Sequence, residues 1–391
     1  MHIGCRCDQH GGVTRVGRFL LVVWAAGGNV APSAGLATAL VGRGHRVHVL
    51  GPPVLQTRFE AAGCTFATFD RAREAGRVEV DVFDDNLLGW NRFITGTRLA
   101  DDVKAELDRK ATDVVIVDCA LSAALSAAEA SGVPAAVLVH VLYQPSAEGE
   151  GAAQWDATRP MGDATRRHLG LDGLDPEHHV QAEVWSRASL ALACQPEAFD
   201  VPLTCRPTNL RYVGPIFEQE PLTPTATKRP LVVVSLSTTN MRQGPVVQRV
   251  LDAAASLDVD VLCTLGGVEL EGLRAPPNVT IEEWVSHREV LALASVVVTH
   301  AGLSTVMAAL ADGVPLVCLP LGRDQPWNAE RVATLGLGRS LERDAPVGDV
   351  RAAIEDVLRD PCYRQEAERM AGVIAGYGNG TSAVSELEAL L

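Results

Sequence analysis

Apolar positions along the chain fall into short runs separated by small-residue turns. Residues 18–24, 46–50, 113–117, 135–139 and 190–194 form such runs in the first half. Residues 231–236, 259–263, 296–298 and 316–319 form them in the second. Continuous apolar runs of this length, of which Val296 to Val298 is β-branched throughout, suit strands buried on both faces of a parallel sheet. Between them, residues 32–41, 99–109, 121–130, 245–257, 347–358, 363–374 and 381–391 carry helical spacing. Gly42 and Gly44 stop the first of these helices, and Gly313 and Pro315 stop the one that opens near Ser304. Strands alternating with helices predict an α/β fold of parallel sheets. The stretch 149–163 shows little regular pattern. Residues 166–170 and 176–187 read as helical.

The rhythm breaks once, over residues 218–230, where Pro221, Thr223, Pro224, Thr225 and Thr227 give a linker composition. It then restarts. The expected organisation is a lead-in without a fold of its own over 1–17, a first domain over 18–215 and a linker over 216–230. A second domain over 231–376 follows, then a C-terminal helix over 377–391 that packs back on the first domain. Each domain is expected to be a doubly wound sheet, with a cleft between the strand ends.

The turns carry the chemistry. Thr299, His300, Ala301 and Gly302 end one strand, and Ser304 and Thr305 open the helix after it. Free N–H groups and the positive end of the helix dipole meet there, so an anion is favoured, and His300 can add a donor. Asp324, Gln325 and Asn328 follow the next strand, a set suited to reading hydroxyl groups. The pattern points to a phosphorylated ligand with hydroxyls. In the first half, Gly27 and Gly28 form the strand-to-helix turn, but no G-x-G-x-x-G exists, so there is no dinucleotide fingerprint. Asp118 and His140 fall at strand C-terminal ends, where open α/β sheets place ligands. Position favours a site role for Asp118 over a helix cap, whereas His140 alone reads as a structural imidazole. Residues 71–97 are acidic with Phe83, Trp90 and Phe93 interleaved. That suits either a binding lid or a helix packed on the core.

Composition narrows the field. With 391 residues, two domains are expected. A net charge of −14 argues against a nucleic-acid partner, which would require a basic face. No apolar run approaches the roughly 18 residues a membrane span requires. The nine cysteines are scattered, as reduced thiols of a cytoplasmic protein would be. Cys5 and Cys7 with His2 and His10 match no zinc spacing, so no metal site is expected.

These motifs resemble the nucleotide-sugar-dependent glycosyltransferases of the GT-B fold, above all bacterial enzymes that decorate macrolides and other natural products. The blocks THAGLSTVMAALADGVPLVCLP (299–320) and DQPWNAERVATLGLGRSL (324–341) carry most of the likeness. EWVSH (283–287), FDVPLTCRPTNLRYVGP (199–215) and GGNVAPSAGLATAL (27–40) add to it. The resemblance implies two Rossmann-like domains facing across a cleft, acceptor on the first and donor on the second. It implies an inverting, metal-independent transfer from a UDP- or dTDP-sugar to a small-molecule acceptor, with no further cofactor. Trp284 would stack on the base, with His287 beside base and ribose. Thr238, His300, Gly302, Ser304 and Thr305 would hold the diphosphate, and Asp324 and Gln325 the sugar hydroxyls. Trp90 and Phe93 are candidates for acceptor contact. The protein would act as a monomer or homodimer.

Three positions depart from the family pattern. Asn29 stands where the family has its catalytic His, which an aspartate at the position of Asp118 orients. An amide cannot take a proton at neutral pH. Ala308 stands where a Glu usually binds ribose, and Ser237 where a Gly is common. The change at Asn29 leaves three readings open. The acceptor needs little base help (an amine, an acidic phenol or an aromatic carbon), with Asn29 positioning it. Alternatively Asp118 or His140 serves as the base. Or catalysis is lost, and the chain is a silent binding or partner protein. An epimerase or hydrolase on the same architecture fits the donor block less well.

Overall fold

The computed structural model describes residues 6–7, 13–72, 87–218, 229–239 and 241–391. Cys5, His2 and His10 lie outside the described residues, as do Phe83, most of the expected linker and most of the acidic stretch before Trp90. Within the lead-in, β1 (Arg6–Cys7) pairs antiparallel with β2 (Val13–Thr14).

The first domain is a seven-stranded sheet of β3 (Arg18–Val22), β4 (Arg46–Gly51), β5 (Thr65–Thr68), β6 (Val114–Asp118), β7 (Ala135–Val139), β8 (Leu190–Ala193) and β9 (Leu210–Tyr212). Its order is β5-β4-β3-β6-β7-β8-β9, with every pair parallel. The second is a six-stranded parallel sheet of β10 (Leu231–Ser235), β11 (Asp260–Thr264), β12 (Val279–Glu282), β13 (Val296–Thr299), β14 (Leu316–Cys318) and β15 (Gly338–Ser340), in the order β12-β11-β10-β13-β14-β15. Both are doubly wound. The strand order reverses at β3/β6 in one and at β10/β13 in the other, and crevices form at such switch points. The central strands are buried along their length, because helices cover both faces.

Two features depart from the sequence-based expectation. The stretch 149–163 is not irregular: helices Ala152–Asp156 and Arg159–His168 occupy it. Pro160 and Gly162 weaken the helical signal there, and tertiary burial of Thr165 and Arg166 overrides it. The edge strands β9 and β15 are short and half-polar, so no apolar run announces them. Of the two readings open for Trp90 and Phe93, the core-packed helix is the one observed: both lie on Leu87–Thr95.

The two sheets are joined by packing as well as by chain. Leu142 and Phe199 of the first domain enter the core of the second, and Arg331 donates to the Phe199 carbonyl at 2.9 Å. The last helix, Thr381–Glu388, buries Ala383, Val384 and Leu387 against the first domain, and Arg43 and His45 bond Glu388. Among the described residues, no helix is long and apolar enough to cross a membrane.

Candidate active site

In the first domain, three consecutive strand ends meet in one hydrogen-bonded group. Asp118, the last residue of β6, is buried. Its Oδ1 accepts from Ala120 N–H at 3.0 Å. Its Oδ2 accepts from Asn29 Nδ2 at 2.8 Å and lies 3.0 Å from His140 Nε2. His140 directly follows β7 and lines the cavity between the domains. Burial pushes its imidazole down, but the neighbouring Cys119 and Asp118 side chains outweigh that and raise it well above the ordinary value. Burial likewise pushes the Asp118 carboxyl up, yet His140 and the donors around it hold it below the ordinary carboxylate value. The result is an imidazole that faces the cleft and a carboxylate that orients it from behind.

Asn29 is placed differently from what its position suggested. It is 2 % exposed. Its Nδ2 donates to the Trp24 carbonyl at 2.9 Å as well as to Asp118, and its Oδ1 accepts from Ala26 N–H at 3.1 Å. The amide is thus fully used within its own domain, which corrects the expectation that it positions an acceptor. It clamps the turn after β3, where Gly27 takes φ +88°.

In the second domain, the turn after β13 puts Ala301 at φ +65°, a conformation residues with a Cβ seldom adopt. Asn328 Nδ2 holds that turn through the Ala301 carbonyl at 2.9 Å, and the same amide group reaches Asp324 Oδ2 at 2.9 Å. The His300 ring lies over Gly302, where a Cβ would sit 2.7 Å from Nε2. Only glycine permits this approach. Burial, with help from the charge of Arg323 and from His287, lowers the His300 imidazole to about 3. It is therefore a neutral donor rather than a cation. His287 Nε2 meets Ser235 Oγ at 2.8 Å, and burial lowers its imidazole too.

Two other expectations are revised. Thr305 has a buried side chain, and its N–H donates to the Gly302 carbonyl at 3.0 Å, so it serves the turn. Gln325 is 3 % exposed, and its Oε1 accepts from Leu321 and Gly322 N–H at 2.7 and 3.1 Å. It closes its own loop instead of offering an amide to a sugar. Asp324 is half-buried and does not line the cavity between the domains; burial raises its carboxyl, and the charge of His140 opposes that.

A cavity of about 420 Å³ connects the two halves. Thr238, Trp284, His287, Ser304 and Ala308 line it from the second domain, and Ala31, Arg58 and His140 from the first. Trp284 is 66 % exposed, an open indole face at one end. The facing turns touch: Ser304 Oγ donates to the Gly28 carbonyl at 2.8 Å. Phe93 is buried between Trp24 and Phe69 and packs as core, not as an acceptor contact. Among the described residues, one group of metal-ligating side chains is close enough to share an ion: Asp118, Cys119 and His140, within 4.8 Å of one another. The direct Asp118–His140 hydrogen bond already accounts for two of its members.

Two doubly wound domains meet at one cavity, with an anion-favouring turn on one side and a carboxylate–imidazole pair on the other, the architecture of the GT-B fold. Relatives narrow the class. Residues 248–390 match the family described as erythromycin biosynthesis protein CIII-like, C-terminal domain. The chain is 26% identical to 4'-demethylrebeccamycin synthase of Lentzea aerocolonigenes over 96% of this chain and 99% of that one. It is 30% identical to zeaxanthin glucosyltransferase of Pseudescherichia vulneris over 68% of this chain and 71% of the relative. The crystal structure of the calicheamicin glycosyltransferase CalG4 superposes with a TM-score of 0.77 at 25% identity, covering 96% of this chain and 98% of that one. The chain belongs to the GT-B glycosyltransferases of natural-product biosynthesis.

Proposed function

We propose that the protein is an inverting glycosyltransferase that moves a sugar from a UDP- or dTDP-sugar to a hydroxyl of a natural product, with His140 as general base. The observation that carries this reading is the 3.0 Å contact of His140 Nε2 with Asp118 Oδ2 at the wall of the same cavity that Trp284 and Ser304 line. With Nε2–H donating to Asp118, Nδ1 holds the lone pair. It takes the acceptor's proton as the acceptor oxygen attacks the anomeric carbon, and the bond from that carbon to the diphosphate breaks on the opposite face. The departing charge collects on the diphosphate, where the N–H groups that open helix Leu303–Ala311 stabilise it without an ion being required. Thr238, Ser304 and the His300 N–H complete that seat. Trp284 carries the base, His287 stands beside it, and Asp324 reads sugar hydroxyls.

A base at His140 relieves the need for an unusually acidic or nucleophilic acceptor. Alcohols and phenols become the expected partners, alongside amines. The test is transfer from UDP- and dTDP-sugars to a panel of phenols, alcohols and amines, by wild type and His140→Ala. The reading predicts glycoside product from hydroxyl acceptors, lost by about 10²- to 10⁴-fold in the variant while nucleotide binding stays within twofold. Full activity of His140→Ala, or nucleotide binding with no turnover of any acceptor, would contradict it.

A further inference from the structure

The helix Leu303–Ala311 turns one face to the cavity between the domains: Ser304, Met307, Ala308 and Ala311, at helical spacing. Ser304 stands at the helix end proposed to seat the diphosphate. Beyond it, that face carries no polar side chain. A nucleoside that stacks on Trp284 with its diphosphate at the helix N-terminus lays its pentose along this wall. The wall offers the pentose hydroxyls no partner, and a hydroxyl taken out of water without one is costly.

The other side of the cavity supplies what the helix lacks. Histidines aside, the charged side chains that line the cavity among the described residues are Arg58, Glu218 and Asp312. Asp312 follows the last residue of the helix, at the negative end of its dipole, which opposes a carboxylate bonded to further electron-rich groups. Glu218 is half-buried and held in place. Arg58 Nε donates to its Oε1 at 3.0 Å, and Arg58 Nη2 donates to its Oε2. The chain just before it is pinned. Phe217 N–H donates to Asn379 Oδ1 at 2.7 Å. A Cβ at Gly35, on the helix Val30–Gly42, would lie 2.8 Å from the Phe217 carbonyl oxygen. A carboxylate has about four lone-pair positions, and the guanidinium fork occupies about half of them. The remainder suit a pair of neighbouring hydroxyl donors, which is what a cis-diol presents.

We propose that Glu218 accepts the 2′- and 3′-hydroxyls of the donor's ribose, so that the donor is a ribonucleoside diphosphate sugar such as a UDP-sugar, not a 2′-deoxy one. This rests on the reading that the cavity holds a nucleotide sugar. The second domain then carries the base and the diphosphate, while the segment that leaves the first domain reads the pentose between them. Arg58 is a positioning residue: it touches the carboxylate and not the donor.

Calorimetric titration of the full chain with UDP and with 2′-deoxy-UDP tests the proposal, because the two differ by a single hydroxyl. Wild type is expected to bind UDP at least about tenfold more tightly. Glu218→Ala should weaken UDP more than 2′-deoxy-UDP and bring the preference down to about twofold or less. Glu218→Gln, which keeps an acceptor oxygen, and Arg58→Met, which frees the carboxylate, should each leave an intermediate preference. Asp312→Asn should keep the wild-type preference. Thermal midpoints show that each variant is folded. Trp284→Ala should weaken both nucleotides alike, and it tests the donor reading by itself. If neither nucleotide binds, or Trp284→Ala leaves both affinities unchanged, the donor reading falls and the role of Glu218 with it. If both bind through Trp284 with equal affinity, or the preference survives in folded Glu218→Ala, the donor reading stands and the role of Glu218 is overturned.

Discussion

The turns after β3 and after β13 both border the switch point of their sheet, one following the domain's first strand and the other the strand across the switch, and they do opposite electrostatic work. In the first domain, the turn is closed by a buried amide, Asn29, whose groups are all used on Trp24, Ala26 and Asp118. Its anion is built in: the Asp118 carboxylate, which, against the lowering effect of burial and together with Cys119, raises the His140 imidazole. In the second domain, the turn has no acid of its own. Ala301 in the left-handed region and Gly302 under the His300 ring open a helix N-terminus toward the cavity, and burial keeps His300 neutral. In the proposed function, one turn helps make a proton acceptor and the other prepares a seat for an incoming anion. The fold supplies the crevice twice, and the residue just past the strand decides what it does.

Breaking either half should separate them. The largest effect is expected from Asp118→Asn, which removes the charge behind His140: kcat/KM should fall by at least about 10²-fold with nucleotide affinity preserved by calorimetry. His300→Ala attacks the other turn. It should lower kcat by about 10²-fold and also weaken UDP or dTDP binding, a joint loss that Asp118→Asn does not show. Asn29→Ala leaves Asp118, the Trp24 carbonyl and Ala26 N–H short of a buried partner, and should destabilise the chain by about 1–3 kcal/mol in denaturant unfolding. Asn29→His should not raise activity, since a second imidazole would have to displace the turn's clamp. A gain in rate would show that position 29 can hold the base. The smallest effect belongs to Ser304→Ala, which removes the cross-cleft bond to Gly28: about 0.5–1.5 kcal/mol in stability and a severalfold change in donor KM.

Much of the fold was legible because buried parallel strands leave a continuous apolar signature, as Ala135–Val139 and the three valines of Val296–Thr299 do. The helices of 152–168 were not, since Pro160 and Gly162 blur their pattern and their burial comes from distant residues. Strand ends located Asp118 and His140, but not their contact, which depends on register between β6 and β7. The meaning of Asn29 was hidden for a different reason: two of its three partners are backbone groups, which carry no side-chain identity. Gln325 and Thr305 look like site residues in sequence because nothing there shows which way a side chain turns. Asn328, by contrast, ties the Ala301 turn to Asp324, and its spacing of four from Asp324 on one helix was the available signal.

The most direct test of the central claim is the pH dependence of kcat/KM in wild type and Asp118→Asn. The His140 imidazole is raised above its ordinary value, so the base form is scarce at low pH and grows as pH rises through the raised value. An acidic limb centred above the ordinary imidazole value is expected in wild type, displaced to lower pH in Asp118→Asn. A flat profile from pH 5.5 to 8.5 on the order of wild-type rate, or a limb that Asp118→Asn leaves in place, would show that the Asp118–His140 pair is not the base.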